Sequence, residues 1–153
     1  MIIKILIAHS ILVHVPRNVR PGLANMLRPS MRTLKHIVVN IHFYDGDDPL
    51  SSYGILSMFE DMRSKNIIET VTILFCNCRD VNRLKDDWVR LDEVLTSTGW
   101  FSLKRVSLTI DIVSLKGSKK ELNVALRKLL ETHCWRLSSS NSISFDPMVT
   151  TDS

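Results

Sequence analysis

The chain has 153 residues, of which 44% are hydrophobic and 24% charged, and its formal net charge is +4. That composition belongs to one globular domain with a sizeable core, and it excludes a disordered chain. Three cysteines, an odd number with no CxxC pair, exclude a disulfide-stapled scaffold and predict reduced, half-buried thiols in a cytoplasmic or nuclear protein.

The opening MIIKILIAHSILVHV is apolar with a single lysine. It has no small-x-small cleavage site, His9 and His14 interrupt it, and it is too short and polar to span a bilayer. It reads as a core strand or helix, and no membrane partner is expected. Residues 1–44 carry Lys4, Arg17, Arg20, Arg28, Arg32 and Lys35 and no acid, whereas residues 45–153 carry 14 basic and 16 acidic residues. The positive charge is therefore a property of the N-terminal segment alone. Through Arg17, Arg20, Arg28 and Arg32 such a segment can contact nucleic-acid phosphates. The arginines are scattered among prolines and apolar residues, however, so residues 1–33 read first as a peripheral basic segment. Leu23 to Arg32 looks like the helix of a partial first repeat, cut by Pro29.

Residues 34–137 carry three copies of one pattern. LKHIVVNI (Leu34–Ile41), IETVTILF (Ile68–Phe75) and LKRVSLTI (Leu103–Ile110) each place apolar residues at relative positions 1, 4, 6 and 8. The columns are Leu34/Ile68/Leu103, Ile37/Val71/Val106, Val39/Ile73/Leu108 and Ile41/Phe75/Ile110, at spacings of 34 and 35 residues. Alternation over β-branched residues predicts half-buried strands, and a constant period predicts a repeated supersecondary unit. Between the strands lie helical stripes: Leu50, Tyr53, Leu56, Phe59 and Met62 within 49–66; Leu84, Trp88, Leu91, Val94 and Leu95 within 80–98; and Leu122, Ala125, Leu126, Leu129 and Leu130 within 118–134. Gly99 is placed to stop the second helix, and Ser118 with Glu121 has capping-box spacing at the third. Asp86-Asp87 and Asp92-Glu93 read as exposed helix positions. Trp88 reads as a core anchor and Trp100 as a cover over the end of the core. Residues 138–153 are polar and expected to fray.

Strands joined through helices run parallel. A doubly wound strand is buried on both faces, but here the face opposite the apolar columns is mostly polar: His36, Val38, Asn40 and His42, then Thr70, Thr72, Leu74 and Cys76, then Arg105, Ser107, Thr109 and Asp111. The expected fold is α/β: a solenoid of three to four strand–helix units with a curved parallel sheet and one wet face. No polar cap is evident at either end of the array, which predicts pairing or aggregation there.

The array resembles a degenerate leucine-rich repeat. Ile68, Val71, Ile73 and Cys76 follow the order LxxLxLxxN/C, while His42 and Asp111 stand where the other units need Asn or Cys. More closely, the chain resembles the C-terminal region of fungal F-box-type proteins. Trp88, Leu91, Asp92 and Leu95 match a WxxLDxxL helix, and Phe101-Ser102-Leu103-Lys104-Arg105-Val106 matches the lead-in to the next strand. The resemblance covers roughly 27–135. It implies substrate-recruiting repeats of ubiquitin ligase complexes. No F-box helices are visible, so contact with the ligase adaptor is not expected, and the chain reads as a truncated relative or a stand-alone repeat module.

No nucleotide-binding glycine pattern and no GxSxG elbow occurs, so no cofactor and no catalysis are expected. Cys76 and Cys78 are two apart, which on a strand puts both on one face. A zinc site from Cys76, Cys78, His133 and Cys134 lacks the usual spacing, and no metal is expected. Asp45, Asp47 and Asp48 read as a solvated turn rather than a cation loop. The expected function is non-catalytic capture of a protein partner across the open strand face, through Asn40, His42, Thr72, Ser107, Thr109 and Asp111, with the loop acids Asp45, Asp47 and Asp48 at its rim. The competing reading is a small enzyme or ligand-binding protein on a doubly wound sheet, using Asp45 and Asp80 at the carboxyl ends of the strands.

Overall fold

The computed structural model describes residues 4–7, 10–15, 25, 27–43, 54–112 and 118–150. Its strands are β1 (Lys4–Ile7), β2 (Ser10–Val15), β3 (His36–His42), β4 (Thr70–Cys78), β5 (Arg105–Ile112) and β6 (Ser144–Thr150). Its α-helices are α1 (Ile55–Met62), α2 (Lys85–Thr96), α3 (Lys119–His133) and α4 (Trp135–Ser139), with 3₁₀ turns at Arg28–Ser30 and Val81–Leu84. All six strands form one open sheet in the order of the chain. β1 pairs antiparallel with β2, and β2 to β6 are parallel throughout.

The apolar columns expected from the sequence are the register of this sheet. Ile37 stands opposite Val71 and Val71 opposite Val106; Val39, Ile73 and Leu108 form the next row, and Ile41, Phe75 and Ile110 the third. All nine are buried. β2 extends the rows on one side with Ile11 and Val13, and β6 on the other with Phe145 and Val149. The leading column, Leu34, Ile68 and Leu103, is buried just before each strand begins. There the entry is repeated in the backbone. The amides of Glu69 and Thr70 both donate to the Lys35 carbonyl (2.7 and 3.1 Å), those of Lys104 and Arg105 to the Glu69 carbonyl (2.8 and 3.2 Å), and that of Ser144 to the Lys104 carbonyl (2.8 Å).

The buried strand face and the helices share one core. Ile55, Leu56, Met58, Phe59 and Met62 of α1 enter it, and so do Trp88, Leu91 and Leu95 of α2 and Leu126 and Leu130 of α3. Trp88 is its anchor: the ring meets Phe75 edge-on at 5.1 Å, and its Nε1–H donates to the Val81 carbonyl at 3.2 Å. Trp100 is buried and meets Phe59 edge-on at 5.9 Å. Asn66 joins α1 to β4, its Nδ2 donating to the Met62 carbonyl and its Oδ1 accepting from the Ile68 amide. The capping box of α3 is complete: Ser118 Oγ accepts from the Glu121 amide, and the Glu121 carboxylate accepts from the Ser118 amide.

Several expectations need correction. The first helix occupies Ile55–Met62 only, with Pro49, Leu50 and Tyr53 outside the described residues. The segment before β3 is a 3₁₀ turn at Arg28–Ser30, where Pro29 is tolerated because a first-turn amide has no helical partner. Residues 144–150, expected to fray, form β6. Phe145, Pro147 and Val149 continue the buried rows, but the proline and the short run hide the alternation. Cys76 and Cys78 do not share a face: Cys76 and Asn77 together oppose Asp111 in a bulge, Asn77 takes a left-handed φ of 60°, and Cys78 is returned to the core. Finally, Asp87 and Asp92 are buried rather than exposed.

Asp92 has a specific job. Its Oδ1 accepts from the Leu137 amide at 2.8 Å and its Oδ2 from the Arg136 amide at 3.2 Å, so a side chain of α2 caps the first turn of α4. The Arg136 guanidinium lies 3.7 Å from the same carboxylate. Burial raises the Asp92 carboxyl above its ordinary range, outweighing these three favourable contacts. Beside it, burial and then the Asp92 charge push the Cys134 thiol up to about 12, so this thiol stays protonated.

The outer edge of β6 is blunted. The Ser144 amide points at β5, so the alternate amides of Phe145, Pro147 and Val149 point away from it. Pro147 has no N–H, and the Val149 amide donates at 2.9 Å to Asn123 Oδ1 of α3. This corrects the expectation of an uncapped array at this edge.

Two outcomes follow. Asp92→Ala leaves the buried Leu137 amide and the half-buried Arg136 amide without their acceptor and should cost about 1–3 kcal/mol in equilibrium denaturation. Because the folded-state pKa of Asp92 is raised, its protonated form contributes stability below the ordinary carboxylate range, and this is lost as pH rises through the raised value. Asp92→Asn should remove that decline; an unchanged pH profile would contradict the assignment. Separately, Asn123→Ala with Pro147→Val restores two outward amides at the β6 edge. Sedimentation velocity should show more self-association than in the parent chain, and equal association would refute the blunted edge.

Candidate interaction surface

The second face of the parallel sheet is built from the residues between the apolar columns. Four rows cross it: His36, Thr70, Arg105 and Ser144; then Leu12, Val38, Thr72, Ser107 and Asp146; then Asn40, Leu74, Thr109 and Met148; then His42, Cys76, Asp111 and Thr150. Apart from the exposed Arg105 and the β6 side chains Ser144, Asp146 and Met148, these residues are half-buried, unlike the fully buried columns beneath. Thus Asn40, His42, Thr72, Ser107, Thr109 and Asp111 do share one face, as the alternation requires. Asp45, Asp47 and Asp48 lie outside the described residues, as do Arg17 and Arg20.

Two side-chain bonds tie strands together on this face. His36 Nδ1 and Thr70 Oγ1 are 2.7 Å apart between β3 and β4, and the Cys76 thiol donates to Asn40 Oδ1 at 3.2 Å. The face is polar but not strongly charged, with Arg105 in the first row, Asp146 on the edge strand in the second and Asp111 in the fourth. Val38, Leu74 and Met148 supply apolar area. Met148 is 46% exposed, the largest apolar contribution the edge strand makes to this surface. Leu12, Asp146 and Met148 escape the sequence reading because β2 and β6 depart from the four-column pattern; the SFDPMVT alternation was the available signal.

A charged row lines the entry edge. Glu69 sits between Lys35 (3.3 Å) and Lys104 (3.1 Å), the three residues being one column of the repeat. The hydrogen bonds to Lys104 and then Lys35, followed by their charges, hold the Glu69 carboxyl below its ordinary range.

At the opposite, carboxyl edge, Asp80 Oδ1 accepts from the Asn82 amide at 2.9 Å and so caps the Val81–Leu84 turn. A cavity of about 340 Å³ lies beside it, walled by Ile112, Leu122, Leu126 and Leu129 with Arg79 and Asn82 at the polar side. Asp80 is its only carboxylate among the described residues. Among those residues no three His, Cys, Asp or Glu side chains converge on a metal position. No helix among them is long and apolar enough to cross a membrane. No protein-family model, curated protein or solved structure matches the chain.

Because the folded-state pKa of Glu69 is depressed, its contribution is present above the ordinary carboxylate range and is lost as pH falls through the lowered value. Glu69→Gln should therefore lessen the loss of stability on acidification, and the difference should shrink at high salt. Superimposable acid limbs for the two chains would show that the row is electrostatically idle.

Proposed function

We propose that this chain is a non-catalytic protein-interaction module that captures its partner across the open strand face. In this reading it is a short leucine-rich-repeat-like solenoid, similar to the substrate-recruiting repeats of F-box-type proteins. One observation carries the reading: five parallel strands run in chain order with one face sealed into the helix core and the other only half-buried. Right-handed crossovers between strands that advance in one direction place their helices on one side. The opposite side is then left as a continuous surface, which is the arrangement that repeat proteins use for recognition.

The enzyme reading is less well supported. A doubly wound sheet binds ligands where its strand order reverses, and the order here does not reverse. Of the two acids that reading would use, Asp80 is occupied as a cap.

The size of the face narrows the partner. Five strands about 4.8 Å apart and six residues at about 3.3 Å per residue give a projected area of roughly 400 Å². That is about half of the ~800 Å² that each partner gives to a standard interface. The face therefore suits a single helix or an extended peptide, with polar side chains setting specificity around Val38, Leu74 and Met148.

The test pairs Asn40→Arg with Thr109→Arg, on β3 and β5 in the same row. Capture of a partner by the immobilised chain should fall by about tenfold or more, as at a central contact, with the melting temperature little changed. Glu131→Arg, on the exposed side of α3, should retain capture. Full capture by the double variant would reject this face.

A further inference from the structure

Two cavities at the entry edge of the sheet share Arg28, Met31 and Lys65. The larger, of about 460 Å³, is lined among the described residues by those three and Arg32, which makes three cations and no acid there. The smaller, of about 340 Å³, adds Arg63 and Ser64, with Glu60 and Asp61 on its wall. The cations come from two separate segments. Arg28 and Arg32 belong to the 3₁₀ turn before β3 and the residues just after it, while Arg63 and Lys65 flank Ser64 in the turn between α1 and β4.

The second turn is fixed by the fold. Ser64 has a left-handed φ of 66°, and its amide donates to the Gly99 carbonyl at 3.0 Å. Gly99 has a φ of 111°, and a Cβ there would lie 2.5 Å from Arg63 Cγ and 2.7 Å from Ser64 N. The bare glycine is thus what admits the stem of Arg63. Among the described residues, none of the four cationic side chains takes part in an ion pair or hydrogen bond, although Lys35, Lys104 and Arg136 elsewhere in the chain all do. Across the two adjoining cavities four cations stand against the two carboxylates Glu60 and Asp61, and this excess positive charge attracts an entering anion.

We propose that these adjoining cavities bind a small anion carrying two linked phosphoryl groups. Guanidinium forks match phosphoryl oxygens in bidentate fashion, and the ammonium of Lys65 adds a point charge. Phosphoryl groups supply more negative charge per volume than carboxylates, which suits cavities within the usual range for small ligands. Glu60 and Asp61 bound the cationic region on one wall of the smaller cavity, so a diphosphate can lie beside Arg28, Arg32 and Lys65 away from them, whereas a phosphate backbone continuing past that wall meets like charge. A small diphosphate is favoured over a nucleic-acid strand on that ground.

Isothermal titration of the full chain with pyrophosphate, orthophosphate and a single-stranded oligonucleotide tests this. Pyrophosphate should bind saturably and at least about tenfold more tightly than orthophosphate, a difference near 1.4 kcal/mol. Arg28→Gln with Arg32→Gln, both exposed positions, should weaken pyrophosphate about tenfold or more with an unchanged circular dichroism spectrum. Lys119→Gln with Lys120→Gln removes the same charge from the start of α3 and should leave binding intact. The proposal is overturned if pyrophosphate does not saturate, if both double variants lose binding equally, or if the oligonucleotide binds while pyrophosphate does not.

Discussion

Everything in this fold hangs on lateral stacking of apolar side chains across parallel strands. Ile37, Val71 and Val106, with the two rows beyond them, are buried at the same depth because each strand enters at the same height. A slip of one residue in any strand would turn its buried set toward the open face and its polar set into the core. The entry carbonyls of Lys35, Glu69 and Lys104, each taking amides from the next strand, and the Lys35–Glu69–Lys104 charges at the same level hold that height. The open face exists only because the register is kept.

Much of this was legible in the sequence. The columns, the helix that carries Trp88 and the Ser118–Glu121 cap are local patterns, and local patterns survive folding. What was hidden is non-local or broken by one residue. Asp92 looks like any polar helix position until α4 arrives with two amides that need an acceptor. Cys76 and Cys78 have a spacing that puts both on one face unless a bulge intervenes, and Asn77 in the left-handed region makes one. Pro147 argues against a central strand, and β6 is an edge strand, where proline is tolerated.

The candidate surface divides in the same way. Its middle strands were readable because alternation assigns faces directly. Its flanks, Leu12 on β2 and Asp146 and Met148 on β6, needed the pairing partners. The Arg28–Lys65 cavities were not readable at all: Arg63 and Lys65 are ordinary turn residues in the sequence, and only the folded chain, with the Ser64 turn bonded to Gly99, has them lining a cavity with Arg28.

The register also separates two quantities that a strict repeat ties together. Ser10, His36, Thr70, Arg105 and Ser144 stand in line across the sheet, yet the chain spends 26, 34, 35 and 39 residues travelling from one to the next. Height is fixed at the strand entries, while contour length is free in the crossovers, where doubling a loop costs only about 0.6 kcal/mol. Insertions and deletions placed between strands should therefore leave the spacing of the open-face rows untouched. The surface behaves as a ruler whose divisions are set independently of the length of thread that joins them.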